Sequence, residues 1–372
     1  MRDVRILHCA DLHLGARMTA NLDARQAKER REELLLTFER VVRTAHEQEA
    51  VAVLIVGDLF DTERVTVSTR RYVGQLIADS SDIIFAYVSG NHDRSVQPLF
   101  PDDCVPGNWI DMSGEGWTSL TLPACGLRVT LSATSNTASP LVYDTIPSVE
   151  GYHIVMLHGQ VSYSGGAARD TVCLPRLAGK GIDYLALGHE HSYRCEALDA
   201  RGVWCYSGCP EGRGYDECGE KGVVLLTLTQ DADAPSGARG ESRFLPIAHR
   251  TLHHLCVNVT REDNERTLTA RVLQQTAHLP ARDIVLIELL GEIAPEQGLD
   301  AQGAVIALRE RFYAARLDDH TTLALDPADY LHDISLKGEF IRTVMATSMP
   351  QQMRDRVIVC GLRALRGEEA EL

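Results

Sequence analysis

Six consecutive apolar residues, Val51-Ala52-Val53-Leu54-Ile55-Val56, run directly into Gly57-Asp58-Leu59-Phe60-Asp61. A run of that length with no polar face reads as a strand covered on both sides, as at the centre of an α/β sheet. The carboxylates after it are then delivered at the carboxyl end of the strand, where open α/β sheets collect functional groups. The construction recurs along the chain. Asp11-Leu12-His13, Gly90-Asn91-His92-Asp93, His158-Gly159 and Gly188-His189-Glu190-His191 all stand where a β-rich run gives way to a loop. Gly57, Gly90 and Gly188 are expected to let the backbone turn sharply, so that the next side chain enters a shared cleft.

Val4–Leu7 reads as a strand, and Asp23 to about Gln48 as a helix with Leu34, Phe38, Val41 and Ala45 on one face. A helix near Thr66–Ala78 and a strand at Ile83–Val88 complete a βαβαβ order. From Trp117 the pattern changes to strands at Ser119–Leu122, Leu127–Ser132, Ile154–Leu157, Tyr184–Leu187, Val203–Tyr206 and Val223–Thr229. Two sheets packed face to face, with helices outside, accommodate them.

The small, polar stretch Gln230–Ser242 reads as a boundary or exposed loop. A second unit follows, with a strand near His254–Val259, a helix near Glu265–Gln275 and a strand at Ile284–Leu290. A helix over Ala304–Ala315, a short strand at Thr322–Leu325 and one helix after Pro350 are expected beyond. The expected division is a domain over 1–230, a linker over 231–245, a small α+β cap over 246–348 and a tail over 349–372.

The 372 residues suffice for two domains, and 44% hydrophobic with 24% charged residues is a globular profile. No apolar run approaches the roughly 20 residues a membrane span requires. The opening MRDVRILHCADLHLG has no apolar h-region of a signal peptide, so a cytoplasmic location is expected. The ten cysteines contain no CxxC, so reduced thiols are expected rather than a disulfide framework or a cysteine-bound zinc. A net charge of −15 argues against a general polyanion-coating role. It leaves room for a nucleic-acid enzyme, whose divalent cations need carboxylates and partly answer the phosphate charge.

The candidate ligands are carboxylates, imidazoles and one amide oxygen, a set suited to Mn²⁺, Fe or Zn²⁺ and too rich in nitrogen for Ca²⁺. Seven such residues exceed what one ion takes, whereas two ions sharing a carboxylate account for them all. Two ions about 3.5–4 Å apart clamp a phosphate and turn a bridging water into hydroxide near neutral pH. Each segment alone has an ordinary alternative, a turn for GNHD or a helix cap for an aspartate after a strand. Their recurrence at strand ends makes coincidence a poor account.

This constellation resembles the calcineurin-like metallophosphoesterase superfamily, over roughly residues 1–230. The resemblance implies a four-layer α/β fold, a β-sandwich flanked by helices with a dimetal site on one edge. By resemblance, Asp11, His13, Asp58 and His191 hold one ion, and Asp58 as bridge, Asn91, His158 and His189 hold the other. His92 would be the general acid protonating the leaving oxygen, with Asp93 fixing its ring. The opening Leu7–Gly15, Gly57-Asp58-Leu59-Phe60-Asp61-Thr62, Gly90–Asp93 and the run Tyr206–Arg213 with Gly219–Val223 are similar to SbcD-type DNA repair exonucleases.

That branch implies a manganese-dependent nuclease acting on DNA, a homodimer, a cap that contacts DNA and an SbcC-like coiled-coil ATPase as partner. Only about 20 residues follow Pro350, so a shorter ATPase contact, as in the YhaO-like branch, is an alternative. Some relatives carry histidine where Asp61 stands, and Asp61 is read here as the cap of the following turn. Arg169, Arg176 and Arg213 are either phosphate contacts or solvated surface residues. His249, His253 and His254 are read as surface residues rather than a third metal site. Two other functions use or forgo the same residues: a phosphodiesterase or phosphatase for nucleotides or other small phosphoesters, which the acidic charge favours, and a DNA-binding scaffold without activity.

Overall fold

The computed structural model describes residues 3–18, 22–61, 65–93, 98–122, 126–164, 166, 168–294, 300–325, 327–365 and 367. It divides into two units, Met1–Thr251 and Leu252–Leu372. In the first, β1 (Val4–Cys9), α1 (Ala24–Glu47), β2 (Ala52–Val56), α2 (Val67–Asp79), β3 (Ile84–Val88) and β4 (Trp109–Asp111) follow in turn. Next come β5 (Thr118–Leu122), β6 (Val129–Ala133), α3 (Pro140–Asp144), β7 (Tyr152–His158), β8 (Gln160–Ser162) and β9 (Thr171–Cys173). The unit ends with α4 (Leu174–Leu177), β10 (Tyr184–Gly188), β11 (Arg194–Ala197), β12 (Val203–Tyr206), β13 (Gly222–Gln230) and β14 (Ala238–Pro246).

Two six-stranded sheets, ordered β14-β13-β1-β2-β3-β4 and β11-β12-β10-β7-β6-β5, make the sandwich. Alternation along the strands divides their side chains between layers. Ile6, Leu54, Val56, Ala86 and Val88 of one sheet meet Leu131, Ile154, Met156 and Ala186 of the other. On the outer face of the first sheet, Leu7, Val53, Ile55 and Phe85 pack against Leu34, Phe38 and Val41 of α1 and Val73 and Ile77 of α2. The second sheet is covered outside by Tyr143, Leu174 and Leu177. Each such side chain contributes about 1.5–3 kcal/mol through burial. The expected helix-flanked sandwich is therefore the fold.

Helix α1 starts where its sequence directs. Asp23 accepts from the Gln26 amide while the Gln26 side chain returns to Asp23, a reciprocal cap. Thr66 caps α2 in the same sense. The expected linker over 231–245 takes a different form. Residues 238–246 are strand β14, paired along its whole length with β13. Arg239, Glu241 and Arg243 alternate on this edge strand, and such charges on a sheet edge read as loop while they protect it from further pairing. The boundary between the units falls at Thr251, later than expected.

In the second unit β15 (Leu252–Val259), α5 (Glu265–Gln275), β16 (Ile284–Ile293), α6 (Gln302–Arg311), β17 (Ala314–Asp319) and β18 (Thr322–Leu323) are followed by α7 (Leu336–Met345) and α8 (Gln351–Leu365). The helix expected over 304–315 stops at Arg311, because Phe312 is buried and Ala314 joins β16 in parallel register with Ile284. The helix expected after Pro350 is α8, and Ile358 and Leu362 on it pack with Ile341 and Val344 of α7.

Candidate metal centre

Strands β1, β2 and β3 lie parallel in one sheet, and β7 and β10 parallel in the other. All five end on the same edge of the sandwich. Asp11 follows β1, Asp58 follows β2, Asn91 follows β3, His158 closes β7 and His189 follows β10. Beyond the strands, the two loops keep bonding to one another: the Asp11, His13 and Leu14 amides donate to the Gly57, Asp58 and Leu59 carbonyls at 3.1, 2.9 and 2.9 Å.

The backbone is bent to present these groups. Asp11, His13, Asp58 and His189 have φ of 54°, 44°, 53° and 107°, a region L-residues avoid. Such positions cost of order 1–3 kcal/mol each and persist only where surrounding structure holds them. Gly57 takes φ of 84° as expected. Gly90 and Gly188 serve differently: a Cβ on Gly90 would collide with the Asp58 carboxylate, and one on Gly188 with the Val56 carbonyl. They are needed for close approach rather than for a turn.

His158 Nδ1 lies 3.0 Å from the Val56 carbonyl, so it carries the proton and Nε2 presents a lone pair. That lone pair faces Asn91 Oδ1 at 3.0 Å and Asp58 Oδ2 at 3.5 Å, and His189 Nδ1 lies 3.4 Å from the same Asn91 oxygen. His158 Nε2, Asn91 Oδ1 and Asp58 Oδ2 are acceptors that meet, a set of ligand atoms that suits a cation. On the other side of Asp58, one ligand atom each from Asp11, His13 and His191 lie within 4.8 Å of one another. His13 Nε2 is buried, has no hydrogen-bond partner and lies 3.7 Å from Asp58 Oδ2. The donors therefore gather about Asp58, with Asp11 common to the group of His13 and His191 and to that of Asp58 and His158, and this chemistry fits two divalent ions.

Burial, and then the adjacent Asp58 carboxylate, push Asp11 well above the usual carboxylate range. Burial holds His13 down to about 4, so its imidazole is neutral and able to bind metal. Outside these ligands stands a row of orienting groups, of which the sequence singled out Asp61 and Arg213 for other roles and missed Glu217. Asp61 Oδ1 lies 3.2 Å from His13 Nδ1 and 3.6 Å from Arg213. Glu217 Oε1 accepts from His191 Nδ1 at 2.7 Å and from Arg213 at 2.7 Å. Burial alone would raise Glu217, but His191 and Arg213 hold it far below the usual carboxylate range. Carboxylates behind metal-binding histidines fix the tautomer and aim the other nitrogen. Asp61 thus orients His13; the turn it was expected to cap, over 62–64, lies outside the described residues.

The general-acid pair is rearranged relative to expectation. His92 is half-exposed at the rim, its amide donating to Asp58 Oδ1 at 2.9 Å and its Nδ1 3.0 Å from the Asp61 carbonyl. Asp93 is fully buried and accepts from the backbone amides of Leu59, Phe60 and Gly90. It ties two ligand loops together, while Asp61 positions the His92 ring. Of the three arginines singled out, Arg213 is built into the centre, Arg176 pairs with Asp144, and Arg169 is exposed. His249 contacts Arg40, and His253 lies 2.8 Å from Asp283.

A fold that carries this centre on one edge of a sandwich defines a class. The family of calcineurin-like phosphoesterases matches residues 4–193, and the chain belongs to it. Within the family, it is 28% identical over 254 residues to the DNA double-strand break repair protein Mre11 of Aeropyrum pernix, covering 62% of this chain and 59% of that one. It is 24% identical over 383 residues to the Mre11 of Haloferax volcanii, covering 96% of this chain and 74% of that one. The Sulfolobus acidocaldarius Mre11 is 23% identical over 307 residues, 78% of this chain and 76% of that one. These Mre11 relatives belong to the DNA repair nuclease branch of SbcD-type proteins that the motifs resemble.

Proposed function

We propose that the chain is a metal-dependent DNA exonuclease of the repair type, using manganese in preference to iron or zinc. The observation that carries the metal-dependent hydrolysis is the meeting of lone pairs from His158, Asn91, His189 and Asp58 beside the unpartnered His13 nitrogen. Two divalent ions held there would supply positive charge to the phosphate oxygens and lower the pKa of water. The chain's own side chains do the rest. Asp58 stands between the two donor groups, Asp61 and Glu217 aim His13 and His191, and Asp93 fixes the loops that carry them.

His92 is the general acid. It sits beside the donor groups, its ring 4.7 Å from that of His13, and is open enough to reach a leaving oxygen. Proton donation of this kind contributes about 10²–10⁴-fold. DNA as substrate is supported by the likeness to Mre11 repair proteins over both units. The reading extends to a DNA-contacting role for the second unit, a homodimer, an SbcC-like coiled-coil ATPase as partner and a cytoplasmic location. Among the described residues no helix is long and apolar enough to cross a membrane.

The test uses protein stripped of metal and resupplied with Mn²⁺, acting on end-labelled duplex and single-stranded DNA, beside a bis-aryl phosphodiester. Shortening of DNA that needs both Mn²⁺ and His92 is the expected result. Cleavage of the small ester with DNA left intact would move the substrate to small phosphodiesters, the reading the acidic net charge favours.

A further inference from the structure

Among the described residues, the sheet of the second unit packs one face on the helices α5 and α6. Val257, Val259, Val285, Ile287 and Leu289 point inward against Leu268 and Val272 of α5 and Ala304 and Leu308 of α6. The opposite face carries His254 and Cys256, two residues apart on β15 and therefore on the same side. Glu288 of β16 stands opposite Cys256 in the parallel register. His254 Nε2 lies 3.2 Å from Glu288 Oε2, and Cys256 Sγ lies 4.0 Å from the same oxygen. One ligand atom from each of the three lies within 4.8 Å of the others.

We propose that His254, Cys256 and Glu288 form a binding site for one thiophilic divalent cation of the zinc class, additional to the dimetal centre. Bond lengths of about 2.0–2.3 Å around tetrahedral zinc place neighbouring ligand atoms roughly 3.3–3.6 Å apart. The two separations from Glu288 Oε2, 3.2 and 4.0 Å, bracket that range, and His254 and Cys256 lie within 4.8 Å of each other. Thiolate, imidazole and carboxylate together suit zinc or cobalt and disfavour magnesium and calcium. Asp318 of β17, opposite Glu288 in register, adds a second carboxylate to this face, and Arg316 pairs with it at 2.7 Å. An exposed His–Glu ion pair would explain two of the three residues and stabilises by less than about 1 kcal/mol. The Cys256 thiol donates to the same carboxylate over a long 4.0 Å, whereas a cation would engage all three side chains at once. The His-x-Cys spacing was visible in the sequence, but its third ligand lies 32 residues away and is supplied by strand pairing.

The dimetal centre offers Asp, His and Asn donors and no thiolate, so a thiolate signal separates the two sites. Cobalt(II) titrated into the full, metal-stripped chain is expected to give a sulfur-to-cobalt charge-transfer band with a stoichiometry of one. Added zinc should bleach that band. Cys256→Ser should remove it, and His254→Ala should weaken cobalt affinity at the band by at least about tenfold. Asp58→Ala, which dismantles the other centre, should leave the band in place. All three exposed or half-exposed side chains can be changed without opening the core, and unchanged circular dichroism verifies that. Absence of the band, its survival in Cys256→Ser, or undiminished affinity in His254→Ala would overturn the proposal.

Discussion

In the first unit Asp11, Asp58, Glu211 and Glu217 are all at most 4% exposed; Glu211 and Glu217 are paired with arginines, whereas Asp11 and Asp58 crowd each other at the centre. In the second, Asp263 and Asp283 are the buried acids among the described residues, and both sit at the ends of elements. All seven left-handed non-glycine residues among the described residues lie in the first unit, four of them candidate ligands. The second has none among the described residues. Burying charge and bending backbone both cost stability, so their concentration marks where chemistry rather than folding selected the residues. The second unit follows local rules almost throughout, and its unexplained polar group lies on its surface.

The sharpest way to break that contrast is to remove the shared carboxylate. Asp58→Ala should lose both ions and lower hydrolysis by about a thousandfold or more, read by metal analysis alongside turnover. Retention of both ions would end the bridging assignment. The next largest effect is on stability. Arg30 is buried on α1, paired with Glu33 and with Glu211 at 3.0 Å, and donates to the Gly212 carbonyl. Arg30→Ala removes the buried cation that faces both carboxylates, leaving Glu33 to Arg250 and Glu211 to Thr37 and backbone amides, and should cost about 3–5 kcal/mol in urea unfolding.

Glu217→Gln keeps the shape behind His191 but loses the charge. Metal affinity should fall about 10–100-fold, measured by titration into stripped protein, with the fold intact. An affinity equal to wild type would reduce Glu217 to a structural role. In the second unit, burial alone would raise Asp263, but Arg271 and Thr260 hold it down to about 2. A carboxylate depressed in the folded state stabilises above its ordinary value near 3.8 and loses that contribution as pH falls through the folded value. The difference in melting temperature between wild type and Asp263→Asn should therefore be full above pH 4 and shrink towards pH 2. The smallest effect belongs to the exposed pair of Arg261 and Glu292, 2.7 Å apart. Arg261→Ala should change stability by less than about 1 kcal/mol, so a larger loss would show that the second unit, too, relies on its charges.

What the sequence determined by itself is the part governed by local pattern. Apolar runs placed β1, β2 and β3, Asp23 and Thr66 placed the helix starts, and the strand-end segments named the donor residues, because periodicity, caps and backbone turns depend on near neighbours. Charged alternation on the β14 edge and a helix-like run into β17 misled the same reading, since only pairing with β13 and β16 makes those segments strands. Tertiary structure alone decided which groups orient the ligands. Asp61 reaches His13 across 48 positions, and Glu217 reaches His191 across 26. Hydrogen bonds of that reach leave no trace in spacing, because the distance between two loops is set by the sheets that carry them.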